Sequence, residues 1–387
     1  MGLGQGAVED LVSRVSAPFN NFYAGKRVLV TGHTGFKGAW LSLWLKELGA
    51  VVFGASLLPP TQPNLYELIA EEVFEHDALC DVRDLNAVLK VIETVRPDVI
   101  FHLAAQPLVR RSYAEPMETL QTNVLGTANV LEAVRRLGLP CAVLVVTTDK
   151  CYENPETGRA QIETDPLGGH DIYSASKACA ELVVQSWRKS FFQTDAKLGP
   201  VATARAGNVI GGGDYAADRI VPDCIRALMS KQPIHVRNPA AVRPWQHVLE
   251  CCSGYLCLAA RLACEGKSSP MNGAFNFGPD EDARRTVGEV VTEILRHWPG
   301  EFHSTPPTVA LHEAKLLWLS AEKAKQQLGW RPVWSFADAV SRTVAWYQQH
   351  ETGREEMMDF TREQIAAYVA DAHTKRLDWA SNGAEVR

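Results

Sequence analysis

A chain of 387 residues can bury a large core and has room for two domains. With 39 lysines and arginines against 45 aspartates and glutamates, a formal charge of -6, it lacks the basic field that nucleic acid or an anionic membrane would attract, so the expected partner is a small molecule. No apolar run approaches the roughly 20 residues of a bilayer span. The opening "MGLGQGAVEDLVSRVSAPFNNFYAGK" has no apolar centre of a signal peptide and, with Gly6 where Ser or Thr belongs, no acylation signal; a cytoplasmic protein is expected.

After a polar leader, residues 1–24, "KRVLVTG" (26–32) reads as a strand ending at a glycine, and "AWLSLWLKELG" as a helix closed by Gly49. "AVVFGAS" and "ALCDV" read as strands, then "LNAVLKVIETV" as helix, "DVIFHLAA" as strand, "TNVLGTANVLEAVRRLG" as helix and "CAVLVVTT" as strand. Strands separated by helices imply crossovers and a parallel sheet buried on both faces, which is why these strands lack polar alternation. "VATARAGNVIGGGD" is one more strand running into a glycine-rich loop. Prolines then become frequent, and "IVPDCIRALMS", "HVLECCSGYLCLAARLA" and "TVGEVVTEILRHW" have helical spacing.

The expected fold class is α/β: a doubly wound parallel sheet of the Rossmann type over residues 25–207, with elements near 246–278 returning to it. A smaller mixed α/β substrate lobe is expected from 208–245 and 279–350, and a last amphipathic helix with a frayed tail from 351–387. The nine cysteines, odd in number and without a Cys-x-x-Cys pair, read as small core hydrophobes; neither a metal nor a disulfide framework is expected.

"TGHTGFKG" sets Gly32, Gly35 and Gly38 three residues apart between the first strand and the first helix. Glycines there allow a tight turn and let backbone N-H groups approach a pyrophosphate at the positive end of the helix. Ser56 stands where such folds carry an acid for the adenosine ribose, and no arginine or lysine beside it awaits a 2'-phosphate, so NAD is expected rather than NADP. Asp81 and Val82, at the end of "ALCDV", are placed to meet the adenine.

"YSASK" puts Tyr173 and Lys177 on one helical face, where an ammonium can lower a phenol pKa that starts near 10. Thr148, at the end of the strand before, supplies a hydroxyl for a Thr-Tyr-Lys proton relay, and Asn123 lies upstream. The glycine loop, Asn123, Thr148, Tyr173 and Lys177, in that order and spacing, resemble the extended short-chain dehydrogenase/reductase superfamily over about residues 25–350. The resemblance implies that Tyr173 takes a proton from a sugar hydroxyl while NAD takes the hydride, and that Lys177 also holds the nicotinamide ribose. It places Thr34, Phe36, Leu103, Ala104 and Ala105 at the cofactor with the residues already named.

"RAGNVIGGGD" and "RPWQHV" resemble the nucleotide-sugar branch, with Asn208 and Arg243 at a diphosphate, which an arginine fork suits in geometry and charge. Arg219, Arg237 and His247 are placed beside them at the substrate. Gln106, Arg110 and Arg111, after the fourth strand, are candidates for the glucose. Lys37 reads equally as a phosphate contact and as a solvated lysine, His33 as a loop hydrogen-bonder and His102 as a satisfied core histidine.

Asp149 and Lys150 carry the finer reading. An epimerase only removes and returns one hydride at carbon 4, whereas a dehydratase also needs an acid at the departing carbon 6 oxygen and a base for the carbon 5 proton that the ketone makes acidic. Thr148-Asp149-Lys150, with "AAQPLVR", "GGHDIYSASKA" and "FNFGPDEDA", resembles the CDP-glucose 4,6-dehydratases. This implies a lyase that converts CDP-D-glucose to CDP-4-keto-6-deoxy-D-glucose and water in deoxysugar and lipopolysaccharide biosynthesis, with Asp149 as acid. A lysine must be neutral to act as base, so Lys150 stands either as that base or as a cation that stabilises the enolate. A dehydratase or epimerase for another nucleotide sugar and a non-catalytic NAD sensor are the alternatives. The resemblance also implies a homodimer or dimer of dimers, paired through helices near 118–137 and 172–191.

Overall fold

The structure is a computed structural model that describes residues 18–154, 158–306, 317–353 and 356–381. Most of the predicted leader (1–17) and the end of the predicted tail (382–387) lie outside the described residues. Seven strands form the central sheet: β1 (Arg27–Thr31), β2 (Val51–Ser56), β3 (Phe74–Leu79), β4 (Val99–His102), β5 (Ala142–Thr147), β6 (Val201–Arg205) and β7 (Ala274–Asn276). Their order is β7-β6-β5-β4-β1-β2-β3 and every pairing is parallel. The chain moves outward from β1 through β2 to β3, returns to β4 on the other side of β1, and continues to β7. Between β1 and β4 the winding reverses, and ligands of such sheets bind in the crevice above that point.

Side-chain alternation along each strand feeds two cores. Val28 and Val30 of β1, with Leu144 and Val146 of β5, face one layer. Leu29, Val143 and Val145 face the other. The first layer is covered by α1 (Phe36–Glu47), which brings Trp40 and Trp44. The second is covered by α3 (Leu85–Val95), α4 (Gly126–Leu137) and α5 (Ile172–Trp187). Between β2 and β3 runs α2 (Tyr66–Val73). Burial of both faces explains the unbroken apolar runs, each buried Val or Leu contributing about 1.5–3 kcal/mol. Asp84 fixes the start of α3 by accepting from the backbone N-H groups of Asn86 and Ala87.

The later half adds α6 (Ile220–Met229), α7 (Val248–Glu265), α8 (Val287–His297), α9 (Phe336–Thr352) and α10 (Met357–Thr374), with three small two-stranded sheets. α7 returns to the sheet and buries Leu256 and Leu258 in the first core.

Two expectations change. The third strand is Phe74–Leu79, earlier than "ALCDV", so Asp81 and Val82 lie just past its end. The segment after α10 is docked where a frayed tail was expected: Trp379 stacks on Phe19 at 5.1 Å and on Tyr368 at 6.0 Å. Among the described residues no helix is long and apolar enough to cross a membrane.

Candidate active site

The glycine loop joins β1 to α1 beneath the switch point. Gly32 has φ +75°, and a Cβ there would stand 2.6 Å from the backbone nitrogen of Ala104. A Cβ on Gly38 would stand 2.2 Å from the Gly32 carbonyl oxygen. Both positions admit only glycine without backbone movement. At Gly35 the nearest protein atom to a Cβ is 3.4 Å away, so contact with the rest of the chain forbids little there. No side chain caps the start of α1, which leaves its first N-H groups facing the crevice. This cradle fits a dinucleotide pyrophosphate.

Thr34 ties the loop to the end of β2, its hydroxyl 2.9 Å from that of Ser56 and donating to the Leu57 carbonyl. Asp81 is engaged by Arg83, which holds its carboxyl below the usual range. A Cβ on Gly126 would stand 2.7 Å from a Val82 methyl, so α4 begins pressed onto this corner. Phe36 opens α1, and Leu103, Ala104 and Ala105 follow β4 with the N-H groups of Leu103 and Ala104 donating to Thr31. Thr31 in turn donates to His102 Nδ1 at 2.7 Å, and His102 Nε2 donates to Thr127, whose own proton goes to the Asn123 carbonyl. His102 is thus a satisfied core histidine, its pKa pushed to about 3 by burial and then by Lys177. His33 is also buried, against Tyr66 and Phe74 with Asp77 at 3.5 Å.

Asn123 links two segments: it accepts from the Gln106 N-H at 2.8 Å and donates to Ser176 Oγ on α5 at 2.8 Å. Gln106, expected at the glucose, has its whole amide engaged by Leu108 and Thr119 and belongs to the scaffold.

β5 delivers the reacting end. Just after it, Thr148 caps a tight turn, Asp149–Cys151. Asp149 is 2% exposed; one carboxylate oxygen accepts from Thr148 at 2.8 Å and the other from the Asn208 amide at 3.2 Å. Asn208, expected at a diphosphate, therefore reaches Asp149, from a left-handed backbone (φ +51°) that asparagine tolerates. A Cβ on Gly207 would stand 2.2 Å from the Asp149 carboxyl carbon, a requirement the sequence reading did not register. Lys150 is half-buried, and among the described residues no carboxylate lies within salt-bridge distance of its amine. The acid and amine that are adjacent in sequence do not pair.

Asp171 starts α5 by accepting from the Ser174 N-H and hydroxyl. Four residues bring Tyr173 and Lys177 onto the face that meets β5. Thr148 lies close enough to Tyr173 to favour its ionised form, yet burial dominates and raises its pKa. The expected lowering by Lys177 is not among its causes. The Lys177 amine lies 3.4 Å from the Val146 carbonyl, and its pKa is pushed down to about 8 by burial and then by the charge of Lys37.

On the facing wall Arg219 pairs with Asp214 at 2.8 Å and is close enough to Tyr173 to affect its charge. Arg110 and Arg237 converge on Asp218, at 3.6 and 2.6 Å, so three of the predicted substrate arginines gather on one short segment. Arg111 turns instead to Glu118. Arg243 donates to its neighbour Val242 on a strand paired with Arg284–Thr286. His247 corrects the prediction: it is 0% exposed, Nδ1 accepts from the Leu249 N-H, and the ring packs between Trp40 and Trp334. It starts α7 and touches no open surface.

Residues 29–343 match the model of the GDP-mannose 4,6 dehydratase family. The chain is 43% identical to CDP-glucose 4,6-dehydratase of Salmonella typhimurium, over 90% of this chain and 98% of the relative. It is 27% identical to dTDP-glucose 4,6-dehydratase of Xanthomonas campestris, over 88% and 99%. Among solved structures, DesIV from Streptomyces venezuelae, a dTDP-glucose 4,6-dehydratase double mutant with NAD and DAU bound, superposes with TM-score 0.71 at 25% identity, over 84% of this chain and 98% of that one. Epimerase Mth375 of Methanothermobacter thermautotrophicus shares the fold with TM-score 0.73 at 24% identity, over 86% and 95%. With the family model spanning most of a dinucleotide cradle and its Thr-Tyr-Lys face, the chain belongs to the GDP-mannose 4,6 dehydratase family of nucleotide-sugar 4,6-dehydratases.

Proposed function

We propose that the protein is an NAD-dependent 4,6-dehydratase of CDP-D-glucose, releasing CDP-4-keto-6-deoxy-D-glucose and water. The observation that carries this reading is a buried carboxyl, Asp149, fixed beside the Thr148-Tyr173 hydroxyl pair in a chain 43% identical to a CDP-glucose 4,6-dehydratase. Hydride transfer alone needs no such acid. NAD would be held by the glycine loop of Gly32, Gly35 and Gly38, and when bound would supply hydride acceptance at carbon 4 and its return at carbon 6. NAD binding is supported by the glycine cradle and by the dehydratase relatives solved with it.

Within that frame Tyr173 takes the carbon 4 hydroxyl proton, with Thr148 beside it and Lys177 one helical turn away on the same face of α5. Asp149 protonates the carbon 6 oxygen as the carbon-oxygen bond breaks. Lys150, whose amine has no carboxylate within salt-bridge distance among the described residues, is assigned the carbon 5 proton. Arg219, Arg110 and Arg237 present positive charge for the diphosphate once their acids are displaced or shared.

The N-terminal 25–207 region is read as the NAD-binding domain and the 208–245 and 279–350 segments as the substrate lobe. The protein acts in the cytoplasm as a homodimer or dimer of dimers. Exposed Met117, Leu125 and Leu182 on the segments from 116 to 137 and 172 to 187 support pairing through those helices.

The test uses sugar nucleotides deuterated at carbon 4, with CDP, dTDP, UDP and GDP as carriers. Loss of one water by mass and deuterium at carbon 6 with CDP-glucose is the expected result. Turnover of another carrier in preference reassigns the substrate, and no turnover of any removes the reading.

A further inference from the structure

Behind the reacting residues lies a second polar cluster that no step above uses. Glu181 is one helical turn beyond Lys177 on α5 and is 3% exposed. One of its oxygens accepts from Thr147 at 2.5 Å; the other accepts from Thr203 at 2.8 Å and from Arg205 at 2.7 Å. Arg205 also donates to the Tyr152 hydroxyl at 2.6 Å, and that hydroxyl donates to Asn276 of β7. Thr147 precedes Thr148 and Asp149 at the end of β5. Arg205 ends β6, directly before the turn that carries Gly207 and Asn208. A single carboxylate therefore ties together the three segments whose ends make the site.

We propose that Glu181 is a positioning residue for the reaction, its carboxylate setting α5 against the ends of β5 and β6 and facing the Lys177 amine with the opposing charge. The inference rests on the roles of Tyr173 and Lys177 given above. A buried ion pair is weak evidence of stabilisation, because apolar residues of similar size often serve as well. A carboxylate retained here fits a charge-dependent task.

The groups facing Lys177 come from four elements: Lys37 at the start of α1, His102 on β4, Cys151 after β5, and Glu181 on α5 itself. Burial and Lys37 push the amine toward neutrality, and Glu181 and the Cys151 thiol oppose them. His102 is neutral in its core position. Glu181 is the one carboxylate in this set, and removing it also leaves the Arg205 cation without its partner.

The experiment is a carbon-13 NMR titration of cofactor-free protein labelled at lysine Cε, with Lys177 assigned by the resonance lost in Lys177→Arg. Wild-type Lys177 is expected to titrate at about 8. In Glu181→Gln the midpoint falls by about one pH unit, a tenfold change in acidity. The alkaline limb of kcat moves down with it. Glu181→Asp keeps the charge and brings the midpoint back toward wild type, while its shorter arm leaves kcat reduced. A folded Glu181→Gln with unchanged Lys177 midpoint and pH profile overturns the proposal. If that variant does not fold, Glu181→Asp supplies the test, and a wild-type kcat in that folded variant overturns the proposal equally. Failure of wild-type protein to turn over CDP-glucose would defeat the substrate reading and leave the titration to judge Glu181.

Discussion

Replacing Gly207 by alanine perturbs the proposed acid without changing the chemistry of any group that reacts. The added Cβ would stand 2.2 Å from the Asp149 carboxyl carbon, where ordinary contact begins at 3.4 Å, so the carboxyl must retreat by about 1.2 Å, the difference of the two. Asp149 is anchored on both sides, by Thr148 at 2.8 Å and Asn208 at 3.2 Å. A shift of that size breaks at least one anchor. Misplacement of a catalytic group by about 1 Å can cost about 10²-fold in rate, and overpacking of this kind typically costs about 1–3 kcal/mol of stability. The expected Gly207→Ala protein is folded, melts somewhat lower and has kcat reduced about 100-fold. The slow step should then be loss of water, so deuterium at carbon 4 of CDP-glucose leaves kcat unchanged. A kcat within twofold of wild type would refute the reasoning. So would a slow variant with a full carbon 4 isotope effect, because oxidation and not elimination would then have been hit.

Gly32→Ala places a side chain at φ +75° and against the backbone of Ala104, so it should abolish detectable NAD binding by titration calorimetry while Gly35→Ala, with no close protein neighbour, retains a measurable affinity. Glu250, buried in α7, accepts from the backbone of Val333 and Trp334 and from Tyr368, and burial raises its pKa to about 7. Its folded pKa lies above the unfolded carboxylate value, so its contribution to stability is full below about 4.3 and is lost as pH rises through about 7. Glu250→Gln should flatten the thermal midpoint between those limits, and an unaltered slope counts against the assignment. Trp379→Ala removes the ring stacked on Phe19 and Tyr368 and should cost about 3–5 kcal/mol, read by chemical denaturation; a frayed segment would show no change.

What was legible in the sequence was local. Apolar runs such as "VLVT" and "AVLVVT" set strands because a residue buried on both faces of a sheet needs no partner named elsewhere in the chain. The loop glycines and the Tyr173-Lys177 spacing were likewise local, since a turn and a helix face follow from neighbours. The errors arose where a long-range contact decides. His247 lies inside a block that resembles a substrate-binding stretch, but two tryptophans, one more than 200 residues before it and one 87 after it, enclose its ring and take it out of reach. Gln106 was assigned by its position after β4, and Thr119 claimed its amide. The tail looked polar, with only Leu377 and Trp379 as large apolar residues, and its docking partner Phe19 sits at the other end of the chain.

The same distinction separates the two halves of the site. Thr148-Asp149-Lys150 could be read as three adjacent residues, but the contacts of the acid could not: Asn208 and Thr148 occupy it, and Gly207 gives it room. The turn "AGN" at the end of β6 is 58 residues beyond Asp149 at its glycine, yet it fixes where the carboxyl points. Position on a strand end thus identifies which residues react, whereas the neighbouring strand decides their geometry. If the acid is held from β6 and the Tyr-Lys face from Glu181, then a change on β6 should alter elimination and a change at Glu181 should alter proton transfer at carbon 4. Combined Gly207→Ala and Glu181→Gln substitutions would show less than the product of the two separate losses in kcat if different steps limit each variant, because only the slower step then sets the rate.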